Sequence, residues 1–195
     1  MEKNAMALRL NGEITSAPRD LSVGLTPLLD GGKAFYVEFA VQLSDNDQDH
    51  FPALWLMPIE HDRKKSDCYP GDPVNFERWQ EIDVDEGGFS PGLCESVHAW
   101  SGSYPDYQSQ SNLDNLSWEP IDRSKIHTFG LSFDPQKLEV TWWLDNKRQR
   151  TTSHPNISPI AAKQHYYLII SAKSQGKQHP YLMKVFWVQA YAPLE

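Results

Sequence analysis

The chain has 195 residues, enough for one domain with a sizeable core, and its 39% hydrophobic and 23% charged content is that of a globular protein. A net charge of -8 argues against nucleic acid or an anionic membrane surface as a partner. No apolar run is as long as a membrane span, the longest candidate being Tyr166-Tyr167-Leu168-Ile169-Ile170.

The N-terminus, Met-Glu-Lys-Asn-Ala-Met, lacks the basic and apolar regions of a signal peptide. That fits a cytoplasmic protein or a domain excised from an exported one. The first clean pattern follows the turn signal Asp30-Gly31-Gly32. From Ala34 to Leu43 the residues alternate, with Phe35, Val37, Phe39, Val41 and Leu43 on one face, as in a half-buried strand. An apolar block, Phe51 to Pro58, comes next. Residues 58–78 and 101–125 are polar, contain Pro and are long for hairpin loops, so they are expected to wall a binding site. Downstream, His127 to Phe133 and Leu138 to Leu144 alternate again, and Asp134-Pro135-Gln136-Lys137 should join them as antiparallel neighbours. Leu138, Val140, Trp142 and Leu144 share one face of the second of these strands. Asp145-Asn146 and Ser158-Pro159 are further turn signals, Tyr166 to Ser171 reads as a buried strand, and Leu182 to Tyr191 is a long strand with Met183, Val185 and Trp187 on one face. There is no long helical period, internal repeat or linker, so the pattern predicts an all-β sandwich or barrel.

The most informative segment is Glu81-Ile82-Asp83-Val84-Asp85-Glu86, which packs four carboxylates into a strand-like hexapeptide. In a regular strand Glu81, Asp83 and Asp85 share a face. A single β-bulge would bring Glu86 to that face in place of Asp85. Both geometries line up carboxylates whose repulsion costs stability, an arrangement that suits glycoside hydrolysis, where one carboxylate attacks and a second, protonated carboxyl donates. The competing readings are a solvated acidic strand and a weak calcium site. The chain also has seven Trp and eight Tyr. Such rings serve sugar clefts and all-β cores alike.

Phe51-Pro52-Ala53-Leu54-Trp55-Leu56-Met57-Pro58, Trp79, the acidic hexapeptide and Val97-His98 occur in an order that resembles glycoside hydrolase family 16. Ile126 to Gly130, Trp142 to Asn146, Tyr166 to Ile170 and Val185 to Tyr191 extend the resemblance over roughly residues 10 to 193. The resemblance implies a concanavalin A-like β-jelly-roll sandwich of two curved antiparallel sheets, the concave one carrying a sugar cleft. It implies a retaining endo-glycosidase with Glu81 as nucleophile, Glu86 as acid/base and Asp83 between them. It also implies an extracellular or cell-envelope setting. β-1,3-glucan ranks first as substrate and an agar-type galactan second. A lectin-like binding domain and a wall-glycan transglycosylase on the same fold are the alternatives.

Three features depart from the family pattern. The strands before Leu8 to Leu10 are shortened, Asp85 occupies a position that is usually apolar or Met, and Ser174-Gln175-Gly176-Lys177 replaces a glycine pair and tryptophan. The second departure leaves Asp85 and Glu86 both open as acid/base, with Glu86 favoured for its reach.

In retaining chemistry the two carboxyls lie about 5–5.5 Å apart. At an effective dielectric of ~20 their charges repel by roughly 3 kcal/mol, enough to raise the second pKa by about two units. Glu86 can then remain protonated while Glu81 is ionised. Asp83 is expected to orient Glu81. Trp79, at the parity of Glu81, is expected to stack against the cleaved sugar. His98 is expected to hydrogen-bond the acid/base region or a sugar hydroxyl, against a purely structural role. Trp100, at the parity of His98, adds stacking, and Trp55 is cleft floor or core. Trp142, Trp143 and Trp187 belong to the core or the back of the sandwich. Arg63, Lys64, Lys65 and Arg78 read as solvated charge.

Cys68 and Cys94 bracket the motif, and either a disulfide or two buried thiols fits them. No histidine spacing signals a metal site. No cofactor is implied and a structural calcium ion is left open; the protein is expected to be a monomer whose partner is a polysaccharide, with no nucleic acid and no membrane insertion.

Overall fold

The computed structural model describes residues 5–16, 29–43, 47–62, 68–87, 92–113, 120–174 and 179–193. Arg63, Lys64 and Lys65, and Gln175 to Lys177, lie outside these residues. The strands are β1 (Met6–Arg9), β2 (Glu13–Thr15), β3 (Leu29–Asp30), β4 (Phe35–Gln42), β5 (His50–Pro58), β6 (Glu77–Glu86) and β7 (Val97–Ser103). They continue with β8 (Asp106–Ser111), β9 (Ile126–Asp134), β10 (Glu139–Leu144), β11 (Lys147–Ser153), β12 (His165–Ser174) and β13 (Leu182–Tyr191). One helical turn, α1 (Ile59–Asp62), follows β5, and a 3-10 turn spans Pro159–Lys163.

The strands form two antiparallel sheets. The first runs β1-β13-β4-β9-β10-β11; the second runs β2-β12-β5-β6-β7-β8, with β3 also pairing β12. The alternation of β4 has the expected result: Phe35, Val37, Phe39 and Val41 are buried while Tyr36 and Glu38 are not. Phe39, Leu131, Phe133 and Trp142 of the first sheet share one core with Leu54, Leu56, Ile82 and Ile170 of the second. β9 and β10 are antiparallel neighbours, as the intervening turn predicts. Asp145 and Asn146 both take positive φ between β10 and β11, the backbone of a tight hairpin turn.

Three expectations are corrected. Residues 101–125 are not one long loop, because β7 runs to Ser103 and turns into β8. The sequence of β8, Asp-Tyr-Gln-Ser-Gln-Ser, is polar and mostly exposed, so an edge strand held by main-chain bonds left no alternation to read. Trp187 does not share the face of Met183 and Val185. A register shift between Val185 and Trp187 turns the indole outward, 38% exposed, opposite Ala40. The cysteines form no disulfide, and only Cys94 is buried; Cys68 is exposed.

Candidate active site

The acidic strand β6 lies centrally in the second sheet, between β5 and β7. Trp55 of β5 opposes Asp83, but Leu54 opposes Asp85, so Val84 is an extra residue on β6. This is the bulge the motif allowed for. It places Glu81, Asp83 and Glu86 on the face carrying Trp55 and Ala53, and turns Asp85 toward the core beside Leu54. The choice between Asp85 and Glu86 is thus made by the register.

The bulge is secured from behind. Arg123 donates to both oxygens of Asp85, at 2.5 and 3.0 Å, and to the Gly92 carbonyl at 2.9 Å. The Cys94 amide adds a bond to Asp85 at 3.1 Å. Both Asp85 and Arg123 are buried. From the opposite sheet, the Trp142 indole N–H crosses the core and donates to the main-chain carbonyl of Asp83 at 2.8 Å. After Glu86 the strand meets Pro52 closely: a Cβ on Gly87 would lie 2.3 Å from the proline ring, so β6 ends on a glycine.

On the outer face, the Trp100 indole N–H donates to Glu81 at 2.7 Å. The Ser96 hydroxyl lies 2.7 Å from Asp83 and 2.9 Å from Glu86. A hydroxyl has one hydrogen, so Ser96 donates to one of these carboxyls. Its contact with the other is a hydrogen bond only when that carboxyl carries a proton and donates to Ser96. Asp83, Ser96 and Glu86 are therefore best satisfied with one shared proton.

Electrostatics agree. Burial, then Glu86 and Glu81, hold the Asp83 carboxyl well above its usual range. Burial, reinforced by Glu81 and Asp85 and opposed by the Ser96 bond, pushes Glu86 up to about 7. Burial lowers the pKa of His98, against the influence of Glu81, and so favours its neutral imidazole. Its Nε2 stands 3.6 Å from Asp83, a close approach longer than a normal hydrogen bond.

Trp79 and Trp100 are cross-strand partners on the same face as Glu81 and His98. Trp79 is only 5% exposed. His61 of α1 stacks on it at 3.6 Å and Trp100 lies parallel on it at 5.8 Å, with Tyr107 at its edge. In this conformation Trp79 is covered, and the sequence had no means of finding its lid. Trp55 packs with Met57 against Ile59, Tyr167 and Ile169, an apolar cluster on the same outer face of the sheet as Asp83. The indole N–H groups of Trp55 and Trp79 are buried without a hydrogen-bond partner.

Sequence reading missed Ser96, Arg123 and Glu95. Glu95 is buried beside Asp85 and is pushed up to about 8 by burial and that neighbour, with Arg150 opposing. All three lie outside the recognisable motif and act through contacts that only the fold creates. A groove of about 440 Å³ elsewhere is lined by Phe35, Tyr36, Phe133 and Tyr191 of the first sheet; it is far from these carboxyls in the topology.

No protein-family model matches the sequence, and no curated protein matches it. Its structure, however, is similar to several solved ones. A glycoside hydrolase family 16 protein of the Bacteroides ovatus mixed-linkage glucan locus, solved with a G4G4G3G product, matches at 16% identity and a TM-score of 0.60, over 98% of this chain and 82% of that one. A β-porphyranase from the human gut bacterium Bacteroides plebeius matches at 13% identity and a TM-score of 0.62, over 95% and 75%. A laminarinase from Flavobacterium sp. UMI-01 matches at 17% identity and a TM-score of 0.58, over 98% and 80%. The chain has the β-jelly-roll fold of these proteins, and the resemblance to family 16 extends to its three-dimensional structure. No helix among the described residues is long and apolar enough to cross a membrane.

Proposed function

We propose that the protein is a retaining endo-glycosidase that cleaves a β-linked polysaccharide by double displacement. The observation carrying this reading is that Glu81 and Glu86 share one face of a bulged strand while the carboxyl of Glu86 is raised to about 7. Glu81, held by the Trp100 indole, attacks the anomeric carbon and forms a glycosyl ester. Glu86 gives its proton to the departing glycosidic oxygen. The resulting Glu86 carboxylate then takes a proton from water, the water oxygen attacks the anomeric carbon, and Glu81 is released. Asp83, sharing Ser96 with Glu86, is a positioning residue between the two. His98 and Trp100 frame the reacting sugar. The open indole N–H of Trp55 is a donor suited to a sugar hydroxyl, since a buried donor without a partner costs about 1–3 kcal/mol.

The substrate reading places β-1,3-glucan first and an agar-type galactan second. The neighbouring folds include a laminarinase and a porphyranase, which supports both polymer classes without choosing between them. The test is reducing-end release from laminarin, mixed-linkage glucan, agarose and carrageenan by wild type and Glu81→Gln. Release that disappears in the variant is the expected result. Binding to one polymer with no release by wild type would replace the hydrolase reading with a lectin-like one.

A further inference from the structure

Outside the acidic strand, the fold gathers a second group of chemically capable side chains. Asp47 lies in the β4–β5 connection, His50 is the first residue of β5, and His179 precedes β13. One oxygen of Asp47, Oδ2, faces both imidazoles, at 4.0 Å from His50 Nε2 and 3.5 Å from His179 Nδ1. The other, Oδ1, accepts the Asp49 amide at 3.0 Å, so the carboxylate is already oriented. Asp49 brings a second carboxylate to 3.6 Å from His179 Nδ1. The His50 ring is 5% exposed and stacks on Tyr181 at 4.3 Å with a 19° tilt. Tyr181 is itself anchored by its hydroxyl to the Lys173 carbonyl at 2.8 Å.

We propose that Asp47, His50 and His179 form a zinc-type metal site, with Asp49 or a water as the fourth ligand. One donor atom from each of the three lies within 4.8 Å of the others. A tetrahedral ion with bonds of about 2.0–2.1 Å needs ligand atoms roughly 3.4 Å apart. His179 already meets Asp47 at 3.5 Å, while His50, at 4.0 Å from Asp47, must close in on the exposed pair by side-chain rotation as the ion binds. Two imidazole nitrogens with carboxylate oxygen suit Zn²⁺ and its first-row neighbours. Calcium and magnesium call for oxygen ligands throughout. The ion would clip the β4–β5 connection to the segment entering β13. The reading does not depend on the proposed glycosidase activity. Asp83, Glu86 and His98 are a comparable cluster, but they belong to the site already described.

The experiment is calorimetric titration of the chelator-treated full chain with ZnCl₂, paired with Co²⁺ absorption. It is run on wild type, His179→Ala, Asp47→Asn and Glu86→Gln. His179 and Asp47 have exposed side chains, which limits the cost of either change to folding. We expect one equivalent of Zn²⁺ and a tetrahedral Co²⁺ spectrum in wild type and Glu86→Gln. His179→Ala and Asp47→Asn should weaken binding by about tenfold or more. The absence of a stoichiometric site, binding unchanged in both loop variants, or binding lost only in Glu86→Gln would each overturn the proposal.

Discussion

The Trp142 side chain, rooted in one sheet, donates a hydrogen bond to the main-chain carbonyl of Asp83 in the other at 2.8 Å. The bond crosses the core at the edge of the bulge, so the packing of the sandwich and the aim of its carboxyls are one construction. Trp142→Phe keeps most of the apolar volume but strands a buried carbonyl. Stability should fall by about 1–3 kcal/mol in urea denaturation. The rate kcat should fall more than KM rises, because substrate contacts remain while the carboxyls shift. Unchanged stability and kcat would mean that the bulge holds its shape without this bond.

Arg123 pairs with Asp85 inside the protein. Arg123→Met leaves a buried carboxylate without its counter-charge, and the expected loss is about 3–5 kcal/mol. Adding Asp85→Leu should recover much of that loss by removing the unpaired charge. A double-mutant cycle by denaturant unfolding measures the coupling. Additive losses would show that the two side chains are not energetically linked.

Ser96 hydrogen-bonds Glu86 and thereby restrains the rise of its pKa. Ser96→Ala should move the alkaline limb of kcat/KM to higher pH, since the acid then keeps its proton longer. The wild-type limb itself should fall near pH 7, where Glu86, the proposed acid, loses its proton. A limb in the variant that stays in place or moves down would remove Ser96 from control of the acid.

The stability of the protein should also depend on this group. Glu86 has a folded pKa of about 7, above its ordinary value of 4.5, so the folded state binds more protons between these limits. Its contribution is complete below pH 4.5 and is lost as pH rises through 7. Asp83 and Glu95 are raised as well and act in the same direction. Glu86→Gln, which carries no charge to lose, should gain on the order of 2 kcal/mol over wild type on going from pH 5 to pH 8. Parallel stability–pH curves for the two proteins would contradict the raised pKa.

Much of the sandwich could be read directly. β4, β9 and β10 alternate with a period of two, and such a strand has one stable solution, with its apolar side against another layer. β8 and β11 could not be read in this way. They are polar edge strands, ordered by main-chain bonds to a neighbour, and these bonds leave no mark on side-chain choice. Trp187 was misplaced for a related reason: one extra residue in β13 reverses the faces of everything after it.

The sequence by itself determined that acidic residues would line one strand of an all-β protein, because Glu81, Asp83 and the pair Asp85-Glu86 are local and their spacing is the strand's own period. Only the tertiary structure decided that Glu86 faces outward and Asp85 inward. That choice rests on Arg123, distant in the chain and close in space, and on Trp142 from the other sheet. The gathering of Asp47, His50 and His179 has the same origin. Strand order, rather than spacing along the chain, brings their donor atoms together, and a linear pattern cannot express a contact between residues that far apart in sequence.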